Sequence, residues 1–533
     1  MNRKTISAMA EAVRRHYRKG MDDELLGPIV SVDDGKRPVG RIERGDSVIF
    51  YNIRGEREIE LTRSLTENNF TEFPVKQLDL SFATMIQYQP ELNAEVAFLP
   101  DGPVRNTLSH VLAGAGKAHL KITESEKAVH LGYFLNGKNG RLLDREERIV
   151  IPSRKDVSLF DEAPDMSIEA VAGAVFSALG RPDADIITVN FPNVDVVGHI
   201  ENERAIVQAV ETVDSHTGRL VEEALRRNVA VVITADHGTV EKWRYADGAI
   251  DTGHTDSPVP FILIDGKGEW RLRTTGELAD AAPTILDMLG LPQPAEMTGR
   301  SLVEKRPDGT VKRLLMIILD GWGYSAVSEG NLIAAASTPV VDRLMALNPL
   351  SILDAAGEAV GLPKGTVGNS EVGHLHIGAG RRIDSDRVRI AKAIEDGSFF
   401  ENEAFLHVIG KAKRNKRALH LLGIVSFFSS HGSVDHLMAL LRLAKRAGAP
   451  RVFIHAMLGR RGERPESGAL YIEEIEKVCR ELDVGAVVSV IGRYWSLDRE
   501  KNWDRIERTY RMLLYGEGEK IVVQKAQGTG NCQ

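Results

Sequence analysis

The chain has 533 residues, with 68 Lys and Arg against 75 Asp and Glu and a formal net charge of -7. That length exceeds what one hydrophobic core organises, so two domains are expected. The near balance of charge argues against a protein whose main partner is nucleic acid or an anionic membrane.

The N-terminus, MNRKTISAMAEAVRRHYRKG, carries charges where a signal peptide needs an apolar core. Strand-length apolar runs then recur: SVIFYNI (47–53), DIITVNF (185–191), VAVVITA (229–235), LLMIILD (314–320), ALHLLGI (418–424), RVFIHAM (451–457) and VVSVIG (487–492). None is long enough to span a membrane. Helical periodicity fits 434–447 and 502–514, and the charged EKRPDGTVKR (304–313) reads as a linker. Short β-branched runs alternating with amphipathic stretches predict an α/β fold with mostly parallel sheets. Cys479 and Cys532 lie far apart and match no metal-ligand spacing, so a reducing, cytoplasmic setting is expected.

In open α/β sheets ligands bind beyond the carboxyl ends of the strands, so polar motifs placed there carry weight. PNVDVVGH presents Asp195 and His199 one helical turn apart. TADHG presents Asp236 and His237 at a strand end, and GHTDSPVPF adds His254. LDGWG puts Asp320 at the end of an apolar strand, and GNSEVGH puts Ser370 in a glycine-flanked turn suited to a helix start. An Asp–His pair alone is an ordinary surface or capping pair. Together, hard oxygen and imidazole ligands around one hydroxyl are a set suited to phosphoryl transfer, because two divalent ions neutralise phosphate oxygens and activate a serine.

These residues resemble one family, the cofactor-independent phosphoglycerate mutases of the alkaline phosphatase superfamily. The motifs ILDGWG, GLPKGTVGNSEVGHLHIGAGR, IGRYWSLDREKNWDR, FYNIRGER, ITESEKAVH, NFPNVDVVGH, ITADHG and GHTDSPVP are similar to its signatures and span nearly the whole chain. Their order differs from the family's, which implies circular permutation: the former termini are joined through 304–313. The resemblance implies an alkaline phosphatase-like metal-binding domain at 101–384 and a smaller α/β transferase domain divided between 1–100 and 385–533. The crossings near 99–102 and 383–387 would then act as hinges.

The resemblance further implies two manganese ions, with zinc or cobalt suited to the same ligands. Asp195, His199 and His254 would hold one ion, and Asp320, Ser370, Asp236 and His237 the other. Ser370 would also be the nucleophile that becomes phosphoserine, and Lys127 the lysine that neutralises the phosphate. Arg54, Arg57, Arg493, Arg499 and Arg461, with His431, would grip a small anionic phospho-carboxylic acid, a task that suits the planar guanidinium fork. A cytoplasmic monomer without nucleic acid or membrane partners is expected. His374 is expected to hold its turn together, and His436 and His455 to be packing residues.

Two departures concern the acceptor side. SSHGSVDH places Ser433 where the family has a second histidine. LGRRGERPES keeps Arg461 but places Gly459 and Gly462 where the family has aspartates, and glycine has no group with which to move a proton. Glu463 is the adjacent carboxylate. The leading expectation is interconversion of 3-phosphoglycerate and 2-phosphoglycerate. The alternatives are a phosphatase, phosphotransferase or mutase for another small phospho- or phosphono-carboxylic acid, and a non-catalytic metal and anion binding protein.

Overall fold

The computed structural model describes residues 7–245, 247–267, 270–427, 429–459 and 466–522. It divides into two compact units, Met1–Pro100 with Arg389–Gln533, and Asp101–Val388.

The first unit is built on an eight-stranded sheet in the order Glu519–Val522, Ile29–Val32, Ala486–Gly492, Val452–Leu458, Leu419–Ile424, Ser47–Phe50, Ser81–Ile86 and Glu95–Phe98. From Ala486–Gly492 to Glu95–Phe98 all neighbours are parallel. The central strands Leu419–Ile424, Val452–Leu458 and Ser47–Phe50 are buried along their whole length, which is why they read as unbroken apolar runs instead of alternating ones. The run expected to continue to Ile53 leaves the sheet after Phe50, so Asn52 and Arg54 fall in the loop at the carboxyl end. Helices Val434–Ala447 and Trp503–Tyr515 lie where the periodicity places them.

The second unit has an eight-stranded sheet in the order Thr275–Glu277, Leu350–Asp354, Val259–Ile264, Ala230–Thr234, Leu314–Leu319, Ile186–Phe191, His119–Glu124 and Glu146–Ile151. Val259–Ile264 is antiparallel to both neighbours and the other pairs are parallel. Its core gathers the buried faces of those strands and of helices Ile168–Leu179, Glu203–Arg226 and Ala281–Leu289. The charged 304–313 stretch belongs to this unit. Val303–Lys305 pairs with Arg271–Leu272, Arg306 reaches Asp287 at 3.0 Å, and Val311 N–H donates to Met288 O at 2.8 Å. Among the described residues no helix is long and apolar enough to cross a membrane.

Candidate metal centre and anion cluster

Three adjacent parallel strands of the second unit bring the ligand-type side chains to one edge. Asp320 follows Leu314–Leu319 directly, and Asp236 and His237 follow Ala230–Thr234. After Ile186–Phe191 the short helix Asn193–Gly198 carries Asp195, and His199 caps its end. Ser370 is the first residue of helix Ser370–Ala379, whose N-cap, Asn369, accepts from the Val372 N–H. That helix is pressed so close to its neighbours that a Cβ on Gly378 would stand 2.0 Å from Leu135 O. Gly378→Ala is therefore expected to cost about 1–3 kcal/mol by overpacking and to displace Ser370. A urea midpoint unchanged from wild type would refute this.

Lys127 lies among the acidic groups, 4 % exposed. Its Nζ donates to Asp195 Oδ2, Asp320 Oδ1 and Ser370 Oγ, each at 2.6 Å. Burial alone would favour the neutral amine. The charges of Asp320, Asp195 and Asp236 outweigh it and hold the ammonium well above its ordinary value. Ser370 Oγ also lies 2.9 Å from His237 Nε2 and 3.2 Å from Asp320 Oδ1. Burial depresses His237, yet Asp236 and Asp195 push it up to about 10. Asp195 and Asp236 are held below the carboxylate range against their own burial, the first by Lys127 foremost and the second by His237.

The residues fit divalent cations on three grounds. Ligand atoms of Asp195, His237 and His254 converge, as do those of Asp236, His237 and Asp320. His199 Nδ1 lies 2.7 Å from Thr252 O and His254 Nδ1 lies 3.0 Å from Gly368 O, so in the neutral rings each Nδ1–H donates to a carbonyl. Their Nε2 lone pairs then face each other at 3.1 Å, with Asp195 Oδ1 at 3.3 Å from His199 and 3.2 Å from His254, a set of acceptors that one shared cation would satisfy together. Finally, Asp236 Oδ2 is fully buried without a hydrogen bond, although His374 Nδ1 is 3.1 Å away. That ring nitrogen faces Ser370 O at 2.9 Å instead, in the turn-holding role expected of His374.

His237 stands between the two ligand sets, 3.7 Å from Asp195, 3.5 Å from Asp236 and 3.6 Å from Asp320, where the resemblance groups it with Asp320, Ser370 and Asp236. Asn190 was not foreseen. It donates to Asp320 Oδ2 at 2.7 Å and reaches His374 Nε2 at 3.0 Å. The signal was available, because an amide inside the wholly buried strand Ile186–Phe191 requires a partner.

In the first unit the predicted anion-binding residues gather beyond the carboxyl ends of parallel strands. Glu56 bridges Arg54 at 3.2 Å and Arg499 at 2.8 Å. Arg57 Nη1 donates to Leu497 O at 3.3 Å, and Arg493 Nη2 lies 3.3 Å from His431 Nε2. His431 Nδ1 lies 2.9 Å from the buried Glu58, a residue the sequence reading did not single out.

Arg461, Gly462 and Glu463 lie outside the described residues. Gly459 has φ +101°, and a Cβ there would stand 2.7 Å from Glu24 Cα, so this position admits no aspartate without moving backbone. Ser433 is the N-cap of Val434–Ala447, its Oγ accepting from the Asp435 N–H at 3.2 Å. His455 is a core histidine held between His420 at 2.9 Å and Ser489 at 2.7 Å.

A family model described as BPG-independent PGAM N-terminus matches residues 390–530, and one described as Metalloenzyme superfamily matches 41–293. The 2,3-bisphosphoglycerate-independent phosphoglycerate mutase of Moorella thermoacetica is 42% identical over 301 residues, 56% of this chain and 58% of that protein. The chain is a relative of these mutases. The enzyme of the same name from Pseudomonas aeruginosa is 41% identical over 302 residues, again 56% of this chain and 58% of its own length. A crystal structure of Leishmania mexicana phosphoglycerate mutase at low cobalt concentration aligns at TM-score 0.38 with 29% identity, covering 52% of this chain and 53% of that one. The chain thus spans about 58% of the length of the curated mutases it matches. The Metalloenzyme match and the converging ligand groups indicate divalent metal binding.

Proposed function

We propose that this protein interconverts 3-phosphoglycerate and 2-phosphoglycerate through a phosphoserine at Ser370, with two manganese ions, as a cytoplasmic monomer. One observation carries the reading: the Ser370 hydroxyl lies within hydrogen-bond reach of Lys127, His237 and Asp320 at once. A binding protein has no use for a nucleophile so placed. Asp195, His199 and His254 would hold one ion, and Asp320, Asp236, His237 and Ser370 the other. Bound there, the ions would neutralise the phosphate oxygens and favour the deprotonated serine. Lys127 offsets charge on the transferring group, and Arg54, Arg57, Arg493 and Arg499 hold the carboxylate and phosphate of the glycerate.

Circular permutation accounts for the order of the matches. The model described as an N-terminus matches after the Metalloenzyme one. Aligned in a single run, a permuted chain reaches only part of each relative, in keeping with the 58% coverage.

The manganese-loaded protein is expected to convert 3-phosphoglycerate in an assay coupled through enolase. If 3-phosphoglycerate is untouched while a simple phosphate ester is cleaved, the second reading takes over: transfer to another acceptor. The closed-off position at Gly459 favours that alternative.

A further inference from the structure

We propose that Glu56 is an internal counter-ion for the arginine pair Arg54 and Arg499, one that an anionic ligand must displace and that therefore weakens anion binding at the cluster. The inference rests on the reading above, in which these arginines hold the anionic groups of the ligand, and it adds a residue that sets how tightly they do so.

The Glu56 carboxylate is placed as a bound anion would be. Arg54 Nη2 donates to Oε1 at 3.2 Å and to Oε2 at 3.5 Å, and Arg499 Nη1 donates to Oε2 at 2.8 Å. Partial burial would raise its carboxyl, but Arg54 and then Arg499 outweigh that and hold it below its ordinary value, so it is ionised at neutral pH. Among the described residues its carboxylate has no other hydrogen-bond partner.

The arginines do not depend on Glu56 for their place. Arg54 lies on backbone fixed by other contacts: the Ile53 N–H donates to His431 O at 2.7 Å, and Gly55 is pressed so close to Tyr88 that a Cβ would stand 2.7 Å from Tyr88 Cα. Arg499 lies in a turn tied by two buried carboxylates. Asp498 accepts from the Glu500 and Asn502 N–H groups, each at 2.9 Å, and Glu60 accepts from the Lys501 N–H at 3.0 Å. What Glu56 adds is charge. All three side chains of the triplet are half-exposed, and ion pairs so placed are weak enough for a ligand to break. A ligand gains the two guanidinium groups only by giving up their contacts with Glu56, so its net gain is the difference.

The test is a titration of the full-length, manganese-loaded protein with D-glycerate, which carries a carboxylate alone, and with inorganic phosphate. Glu56→Gln, nearly isosteric and at a half-exposed position, is expected to lower the Kd of the probe that takes this seat about 3- to 10-fold. Tightening of glycerate means that the pair receives a carboxylate, and tightening of phosphate that it receives a phosphate group. With Arg54→Gln and Arg499→Gln also in place the gain should vanish, and a gain that persists overturns the assignment. A Kd that Glu56→Gln leaves unchanged or raises overturns it too, a rise meaning that Glu56 orients the guanidinium groups for the ligand. If Arg54→Gln with Arg499→Gln weakens a probe that Glu56→Gln does not tighten, the counter-ion role fails and the anion-binding reading of the cluster stands. If neither set of changes alters either probe, both fail.

Discussion

Ser370→Ala is expected to abolish phosphoryl transfer, with a loss on the order of 10,000-fold or more, and to leave no phosphopeptide after incubation with 3-phosphoglycerate. The fold should tolerate the change, since Lys127 keeps Asp195 and Asp320 as partners and Asn369 still caps the helix. Another hydroxyl near the ligands is that of Thr239, whose Oγ1 lies 3.4 Å from Asp195 Oδ1. It sits 3.3 Å from Nδ1 of His237, however, on the opposite side of the ring from the Nε2 that faces Ser370, so it is not placed to substitute. Tandem mass spectrometry decides the matter. A phosphate on Thr239 in the variant, or retained turnover, would show that the chemistry does not run through Ser370.

Much of the fold and of the metal centre was legible in the sequence because the same features serve both. A strand buried on both faces must be an uninterrupted apolar run, and a polar residue that follows it directly must lie at the sheet edge. Asp320 after Leu314–Leu319 and Asp236 after Ala230–Thr234 could be placed on that ground alone. What the pattern did not give was the pairing of strands distant in sequence, which alone sets His237 between the two ligand sets. Nor could it reveal which charged residues are buried against another side chain. Glu58 directly follows Arg57 in the sequence, and only the fold shows it buried against His431.

The two departures on the acceptor side have structural reasons of different kinds. Ser433 contributes to the helix start in place of an imidazole, a role that serine fills by accepting a backbone N–H. Gly459 takes a left-handed conformation against the Glu24 backbone, and the neighbouring Gly492 is closer still, its Cβ position 2.3 Å from Glu24 O. The segment around Glu24 therefore packs over the ends of two strands, and side chains at both positions would have to displace it. At Gly459 the absence of the family's aspartate is a packing requirement.

Removing the metal by chelation is expected to lower the thermal midpoint of the second unit as well as to inactivate the protein. Three carboxylates, Asp195, Asp236 and Asp320, share the site with the Lys127 ammonium and, without metal, the His237 imidazolium, so negative charge is still in excess and the neutral His199 and His254 rings turn lone pairs toward each other. A ligand present at 100 times its Kd stabilises the folded state by about 2.7 kcal/mol. For a unit of this size that corresponds to a shift of about 4 to 5 °C for each ion. Elemental analysis should find two equivalents of manganese after reloading, and both midpoint and activity should return. His199→Ala and His254→Ala should each weaken one equivalent while leaving the other, because Asp236, Asp320 and His237 do not depend on them. A midpoint indifferent to chelation, with no metal bound on reloading, would mean that Lys127 and protonated histidines already balance these carboxylates, and the two-ion arrangement would have to be abandoned.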